Sequence, residues 1–158
     1  MSTKKRISES FWIDKLTNRR YYTVKDLPDH VNASRFEYWD SNLEFNCYQH
    51  LLQASKNEKI IRQSERLILP ASHPFNALTW NCDFELIGDN RKLIEVKGAW
   101  ILNNGEALSN FVKTLRLLSL FNPIDFNDLI IISNKKFSLG RTKIKVHHFE
   151  DLPTLLYS

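Results

Sequence analysis

The chain has 158 residues with a formal net charge of +4 and a pI near 9.1, and 42% of its residues are hydrophobic. A chain of this length is expected to fold as a single domain that buries roughly 70% of the surface exposed by its unfolded form. It has no apolar run of about 18 residues, no hydrophobic leader behind its basic start and no Cys-x-x-Cys spacing, which argues against a membrane, secreted or zinc-stapled protein. We therefore expect an intracellular protein of the cytoplasm or nucleoid, with reduced thiols and no membrane partner.

A first hairpin is predicted near the amino terminus. The aromatic runs 11–15 and 20–24 flank a polar, basic turn at 16–19. Arg19 and Arg20 lie beside aromatic residues, and arginines in such a setting clamp phosphates or stack on bases. Aromatic residues also dominate hydrophobic cores, so a purely structural role for this hairpin is an equal alternative.

A helix is predicted from residue 42 to about residue 54, with Asp40 or Ser41 as its N-cap. Glu44 falls on the stripe that the helix turns toward its packing partner. The other members of that stripe are Tyr48, Leu51 and Leu52. A carboxylate at this position is expected to point toward the rest of the protein and not into water.

A strand is predicted over residues 60–69, and Gln63 on it shares a face with Glu65 and can approach DNA. A second hairpin follows between Trp80 and Trp100. Two short runs of apolar and β-forming residues there flank Gly-Asp-Asn, a turn signal of antiparallel strands.

Three charged groups have predictable positions in this second hairpin. Side chains alternate across a strand, so Asp83 and Glu85 are expected on the face that leaves the buried side. In the second run, Glu95 and Lys97 share a face about 7 Å apart. If Asp83 lies opposite or diagonal to Glu95, two carboxylates converge beside one ammonium group, and a divalent cation would relieve their repulsion. The alternative is an exposed strand face with a cross-strand ion pair.

The remainder of the chain is predicted to alternate helix and strand. A helix begins near Gly105, and Lys113 lies off its apolar stripe, where it faces either phosphates or solvent. A strand over 128–133 precedes a basic edge hairpin at 135–146 and a short helix at 152–156.

The order of these elements predicts an α/β fold with a mixed central β-sheet flanked by helices. One domain is expected over residues 1–158, in which residues 1–40 form a basic arm and a hairpin extension to the core. The net charge of +4 suits a polyanionic partner, although ordinary solubility explains it as well.

The charged groups of the second hairpin resemble the core motif of a known family. Asp83 is followed, after eleven residues, by Glu95-x-Lys97 on the next strand, which resembles the PD-(D/E)xK nuclease superfamily over roughly residues 42–134. Cys82 stands where the family name has proline. The resemblance implies a restriction-endonuclease-like core and Mg²⁺ as cofactor, with Mn²⁺ as the alternative. It also implies that the acids bind the ion while the lysine positions or activates the attacking water.

The resemblance extends to the predicted helix before the sheet. In Holliday-junction resolvases and in the endonuclease subunit of heteromeric transposases, a glutamate on that helix completes the metal site, and the Ser-x-Leu-Glu pattern ending at Glu44 resembles this element. The alternative is a first-turn acid favoured by the helix dipole. The implied catalytic residues are Glu44, Asp83, Glu95 and Lys97. The implied metal ligands are Glu44, Asp83, Glu95 and Val96.

These predictions describe a metal-dependent DNA endonuclease, homing-type or otherwise site-specific. Its expected partners are double-stranded or branched DNA and copies of itself, because cutting both strands usually takes two sites, in a homodimer or a higher homo-oligomer. The alternatives are a Holliday-junction resolvase, a non-catalytic nucleic-acid-binding module on a nuclease-like fold, and an RNA endonuclease. The residues predicted to contact DNA are Lys4, Lys5, Arg6, Arg19, Arg20, Gln63 and Lys113.

Overall fold

The computed structural model of the protein describes residues 10–157, and the chain divides into two compact units between Gln49 and His50. The predicted basic arm at residues 4–6 lies outside the described residues. No helix in the described part of the chain is long and apolar enough to cross a membrane. The expectation of a single domain stays a prediction.

The amino-terminal unit contains an antiparallel three-stranded sheet. Its strands are β1 (Phe11–Asp14), β2 (Arg20–Tyr21) and β3 (Phe36–Trp39), in the order β2-β1-β3. The predicted first hairpin is confirmed as β1 and β2, whereas β3 was not predicted. Asp14 stabilises the end of β1, because its carboxylate accepts the N–H of Leu16 at 2.9 Å and two hydrogen bonds from Arg35 at 2.6 and 2.7 Å.

Helix α1 (Asn42–Ala54) confirms the predicted helix, and Ser41 caps it because its Oγ accepts the N–H of Glu44 at 3.1 Å. The predicted stripe is confirmed for Leu51, which is buried, and wrong for Leu52, which is 49% exposed. The buried side chains of α1 are Leu43, Cys47 and Leu51. Each residue turns a helix by about 100°, so Glu44 lies beside this stripe and is only half-buried.

The carboxy-terminal unit is built on a six-stranded sheet. Its strands are β4 (Lys59–Leu69), β5 (Leu78–Ile87), β6 (Lys92–Val96), β7 (Leu129–Ser133), β8 (Phe137–Ser138) and β9 (Lys145–His148). Their order in space is β4-β5-β6-β7-β9-β8. The sheet is mixed, because β6, β7 and β9 run parallel to one another while β4, β5 and β8 pair antiparallel with their neighbours.

Helices flank this sheet, so the predicted α/β class with a mixed central sheet is confirmed. They are α2 (Gly105–Phe121), α3 (Pro123–Asp128) and α4 (Leu152–Leu156). Helix α3 was not predicted. Its first turn contains Pro123, which suits a helix start, and the side chain of Asn122 caps it by accepting the N–H of Asp125 at 3.3 Å.

The core of this unit lies between α2 and the sheet. Strand β7 is an almost uninterrupted apolar run, typical of parallel strands buried on both faces, and it pairs with β6, which is buried from Leu93 to Val96 although it contains Glu95. The core side chains that pack together here are Ile101, Phe111, Leu115, Ile131, Leu139 and Val146. The predicted edge hairpin is confirmed as β8 and β9, of which β8 is the edge strand. Because β6, β7 and β9 run parallel, their carboxyl ends lie side by side at the same end of the sheet.

Candidate active site

Asp83 and Glu95 face each other across the β5–β6 hairpin. The observed pairs Phe84 with Ile94 and Glu85 with Leu93 continue in register to Asp83 and Glu95. The backbone N–H of Asp83 donates to Oε2 of Glu95 at 3.2 Å. The cross-strand juxtaposition that the spacing predicted is thus present, because the carboxylate of Glu95 accepts from the backbone of Asp83.

The prediction that Asp83 leaves the buried side is wrong. Asp83 is 8% exposed, Glu85 9% and Glu95 3%. All five residues from Cys82 to Leu86 are buried, because β5 lies inside the sheet between β4 and β6 and both of its faces are covered. Buried carboxylates need hydrogen-bond partners, and Asp83 has one in the N–H of Val96, which donates to its Oδ2 at 2.8 Å.

Burial and mutual repulsion make both acids reluctant to ionise. Burial raises the pKa of Asp83, against which the N–H of Val96 and the charge of Lys97 act. Burial, followed by the negative charge of Asp83, raises the pKa of Glu95 from 4.5 to about 8, although Lys97 lowers it. Two carboxyl groups therefore share a poorly hydrated site that has one cationic side chain.

Lys97 is that cationic side chain. Its Nζ lies 2.7 Å from Oε1 of Glu95 and 4.5 Å from the ring centroid of Phe111 on α2. Its backbone N–H donates to the carbonyl of Ile132 on β7 at 3.0 Å. The ammonium group is thus held by a carboxylate and an aromatic face, and its side chain remains 23% exposed.

Gln63, which was predicted to contact DNA, reaches this site from β4. Its Nε2 lies 3.4 Å from Oδ1 of Asp83, a long hydrogen bond. Its φ of 51° is in the left-handed region, and the β4–β5 ladder pairs Arg62 and Ser64 but skips Gln63. Sequence reasoning could not identify Gln63 as a neighbour of Asp83, because no residue pattern indicates a left-handed glutamine within a strand.

The other predicted site residues are distributed over both units. Glu44 lies in the first turn of α1, and Val96 donates its N–H to Asp83; their roles as metal ligands stay predictions. Arg20 is engaged within the amino-terminal unit, because its guanidinium lies 4.3 Å from the ring centroid of Phe11 and its Nη1 donates to Asn42 at 2.8 Å. These contacts favour the structural alternative for Arg20.

Two predicted DNA contacts have side chains in open positions. Arg19 is exposed, with its guanidinium 5.3 Å from the ring centroid of Tyr21. Lys113 is exposed on α2, beside a surface groove that Trp80 and Asn110 also line. Exposure suits either contact with phosphates or simple solvation, so the DNA contacts of both residues stay predictions.

A second charged cluster, which was not predicted, lies beside the acid pair. Glu85 accepts hydrogen bonds from Ser64 at 2.8 Å and from Arg91 at 3.1 Å. Arg66 and Arg91 each lie 2.7 Å from a carboxylate oxygen of Asp125 on α3. Because these contacts pair every acid of the cluster with an arginine, the cluster stabilises the packing of α3.

The acid pair fits a hard divalent cation of the magnesium type. Mg²⁺ binds proteins through one or two carboxylates and completes its octahedron with waters and substrate phosphates. Within residues 10–157, no group of three or more His, Cys, Asp or Glu side chains is arranged to hold a metal ion. The side chains of Asp83 and Glu95 would therefore supply two ligands, and the rest would come from water, backbone or substrate.

Comparisons of this chain with protein-family models, with curated proteins and with solved structures found no match. The resemblance to the PD-(D/E)xK superfamily therefore depends on the motif residues. Their geometry is compatible with it, because Asp83 and Lys97 both contact Glu95 at neighbouring positions of β5 and β6.

Proposed function

We propose that this chain is a metal-dependent endonuclease that hydrolyses phosphodiester bonds in DNA. The observation that carries the proposal is the buried pair of Asp83 and Glu95, with Lys97 in contact with Glu95 at 2.7 Å. When both acids are ionised, one lysine leaves an excess negative charge in a poorly hydrated place. A divalent cation matches that excess, which is why such a pair suits Mg²⁺ or Mn²⁺.

Asp83 and Glu95 are the residues that would hold the ion, with Glu44 and the backbone of Val96 as the further candidates. When bound, a divalent ion polarises a phosphoryl oxygen and lowers the pKa of a coordinated water. The hydrogen bond from Val96 to Oδ2 orients the carboxylate of Asp83, and Oδ1 lies nearer to Gln63. A fixed carboxylate is what a reproducible ligand geometry requires.

Lys97 supplies the positive charge at the reacting centre. Glu95 and the ring of Phe111 direct its ammonium group, and donors held in place before the reaction stabilise developing charge most effectively. We assign to Lys97 the positioning of the attacking water or the stabilisation of charge on the phosphate. Either role is lost when the ammonium group is removed.

The substrate that we propose is double-stranded or branched DNA, cut in a site-specific, homing-type manner. Cutting both strands calls for two sites, so we expect a homodimer or a higher homo-oligomer in an intracellular setting. The net charge of +4 suits the polyanionic partner.

The test is incubation with supercoiled plasmid, single-stranded DNA, RNA and a four-way junction, each with Mg²⁺ or with EDTA. The parent protein should cut DNA only with Mg²⁺. Asp83→Asn and Lys97→Ala should abolish cutting. Asp83→Asn keeps an oxygen that can accept the N–H of Val96, so its fold should persist.

Two matched controls make the same chemical changes at exposed positions of the same unit, Asp89→Asn and Lys59→Ala. Both should cut at the parent rate. Mg²⁺-dependent cutting that survives in purified Asp83→Asn would refute the proposal. A parent protein that binds DNA but never cuts it would favour the non-catalytic binding module, and preferential cutting of the junction would favour a resolvase.

A further inference from the structure

The positive charge of this chain is concentrated in one short segment. Five basic residues occur between positions 135 and 145, and no acidic residue occurs between Asp128 and Glu150. They are Lys135, Lys136, Arg141, Lys143 and Lys145. The whole chain has 22 Lys and Arg against 18 Asp and Glu, so without these five residues its formal charge would be −1. We call this segment, residues 135–145, the basic hairpin.

The side chains of the basic hairpin are accessible. All five basic residues are exposed. Lys136 lies 3.3 Å from Asp151, yet its side chain remains 70% exposed. Among residues 10–157, the other four make no ion pair, so their charges are not neutralised by the protein. Exposed cations without partners are the groups that release counterions when they meet phosphates.

The basic hairpin begins near Lys97, at the end of the sheet where β6 and β7 finish, and then turns back, so that Lys145 lies at the start of β9. Val96 pairs with Ile132, and Ile132 pairs with His147, across the parallel strands β6, β7 and β9. Strand β7 ends at Ser133, two residues before Lys135. With strands about 5 Å apart and about 3.5 Å per residue, the backbone of Lys135 lies within roughly 12 Å of that of Lys97.

The composition of the basic hairpin favours a duplex backbone over single strands. Single-stranded nucleic acid is bound mainly by aromatic side chains on which bases stack. The one aromatic residue of this segment, Phe137, is half-buried because it packs against the core cluster. Lysines and arginines without exposed aromatics are suited to phosphate contacts, which position a duplex without reading its sequence.

We propose that the basic hairpin is the surface that binds the DNA backbone next to the acid pair. The identity of the polyanion as DNA rests on the proposed function. The position of the binding surface rests on the fold alone. A duplex that presents a phosphate to Lys97 would meet Lys135 and Lys136 first, and it would reach residues 141–145 farther along, because β8 carries the chain back toward the start of β9.

The test measures duplex binding in EDTA, so that cleavage plays no part. Fluorescence anisotropy of a labelled 30-bp duplex is followed between roughly 50 and 200 mM salt. The hairpin variant is Arg141→Gln, Lys143→Gln and Lys145→Gln combined. The control variant removes three charges from exposed positions outside the hairpin, Lys15→Gln, Lys25→Gln and Lys59→Gln.

Each lost phosphate contact should reduce the slope of log affinity against log salt by about 1. We expect the hairpin variant to lose about 2 to 3 from that slope and to bind more than about 10-fold more weakly at low salt, with the control variant losing less than about 1. Melting temperatures should match the parent, because the changed side chains are exposed. Adding Lys135→Gln and Lys136→Gln should weaken binding further.

Equal losses in the hairpin and control variants would overturn the inference, as would undetectable duplex binding by the parent. Tighter, hairpin-dependent binding to single-stranded RNA or to anionic lipid vesicles would also overturn it. The proposed function can fail separately. If the parent binds duplex through the hairpin but never cuts it, the endonuclease is refuted and the binding surface is retained. If the parent cuts DNA but the hairpin variant binds duplex as tightly as the control variant, the endonuclease stands and the proposed binding surface is refuted.

Discussion

Gln63 donates its side-chain amide to Oδ1 of Asp83 at 3.4 Å from a left-handed backbone conformation with φ of 51°. Such a conformation costs a non-glycine residue of order 1 kcal/mol or more, and strain of this kind concentrates at functional sites. Gln63→Gly should relieve the strain and leave the free energy of unfolding unchanged or up to about 1 kcal/mol higher. The same change should raise the Mg²⁺ concentration for half-maximal cleavage roughly 10-fold, because Asp83 loses a positioning partner.

The control for that experiment is Gln63→Ala, which also removes the amide but keeps the strained backbone. It should require the same additional Mg²⁺ as Gln63→Gly and be less stable than it. If Gln63→Gly cuts at the parent rate over a full Mg²⁺ titration, the amide has no role at the site and its contact with Asp83 is incidental.

The acid pair makes metal-free stability depend on pH. Folded Glu95 holds its proton to about pH 8, whereas its ordinary pKa is 4.5, so between these values the folded state binds more protons than the unfolded state. Stability is therefore greatest at low pH in this window and is lost as the pH rises. In EDTA we expect the melting temperature to fall by about 5 °C from pH 5.5 to pH 8.5, measured by calorimetry.

Glu95→Gln is the control for this pH dependence, because an amide does not ionise. Its melting temperature should vary less than that of the parent over the same range. Mg²⁺ should raise the melting temperature of the parent more at pH 8.5 than at pH 5.5, since only ionised carboxylates bind the ion. An equal Mg²⁺ effect at both pH values would argue against a metal bound by Asp83 and Glu95.

The arginine cluster predicts a stability effect at a distance from the chemistry. Asp125 is 2% exposed and accepts from Arg66 and Arg91, so Asp125→Ala removes one buried carboxylate from both guanidinium groups and leaves them to share Glu85. We expect a loss of about 3 kcal/mol in the free energy of unfolding, measured with urea. Asp128→Ala is the matched control. Its side chain is 30% exposed and pairs only with Arg91 in the described residues, so the loss should be below about 1 kcal/mol.

Glu44 provides the fourth prediction. If it contributes to the metal site, the nearly isosteric change Glu44→Gln should lower the cleavage rate and raise the required Mg²⁺, because carboxylates and water are the preferred ligands of Mg²⁺. The melting temperature without metal should change little, since the helix cap depends on Ser41 and the backbone of residue 44. Cleavage at the parent rate across a Mg²⁺ titration would argue against a role for Glu44 at the metal site and favour the first-turn acid of the alternative.

Local patterns in the sequence determined several elements and the central juxtaposition. Helix α1 and the pairing of Asp83 with Glu95 follow from a cap, a turn and an alternation that operate within about twenty residues of the chain. Those signals act between residues that are close in the chain, so they predict local structure without information about the rest of the fold. The mixed α/β class was equally accessible, because it depends only on the order of the elements.

Tertiary structure alone decided the environment of the site. Whether Asp83 is buried depends on β4, on β6 and on what covers each face of the sheet, and these are contacts between residues far apart in the chain. The same holds for the left-handed Gln63 and for the arginine partners of Asp125. A period-two pattern specifies which side chains share a face but not whether that face meets water. The raised pKa values of Asp83 and Glu95 therefore depend on the burial that the assembled sheet imposes, which the local pattern does not specify.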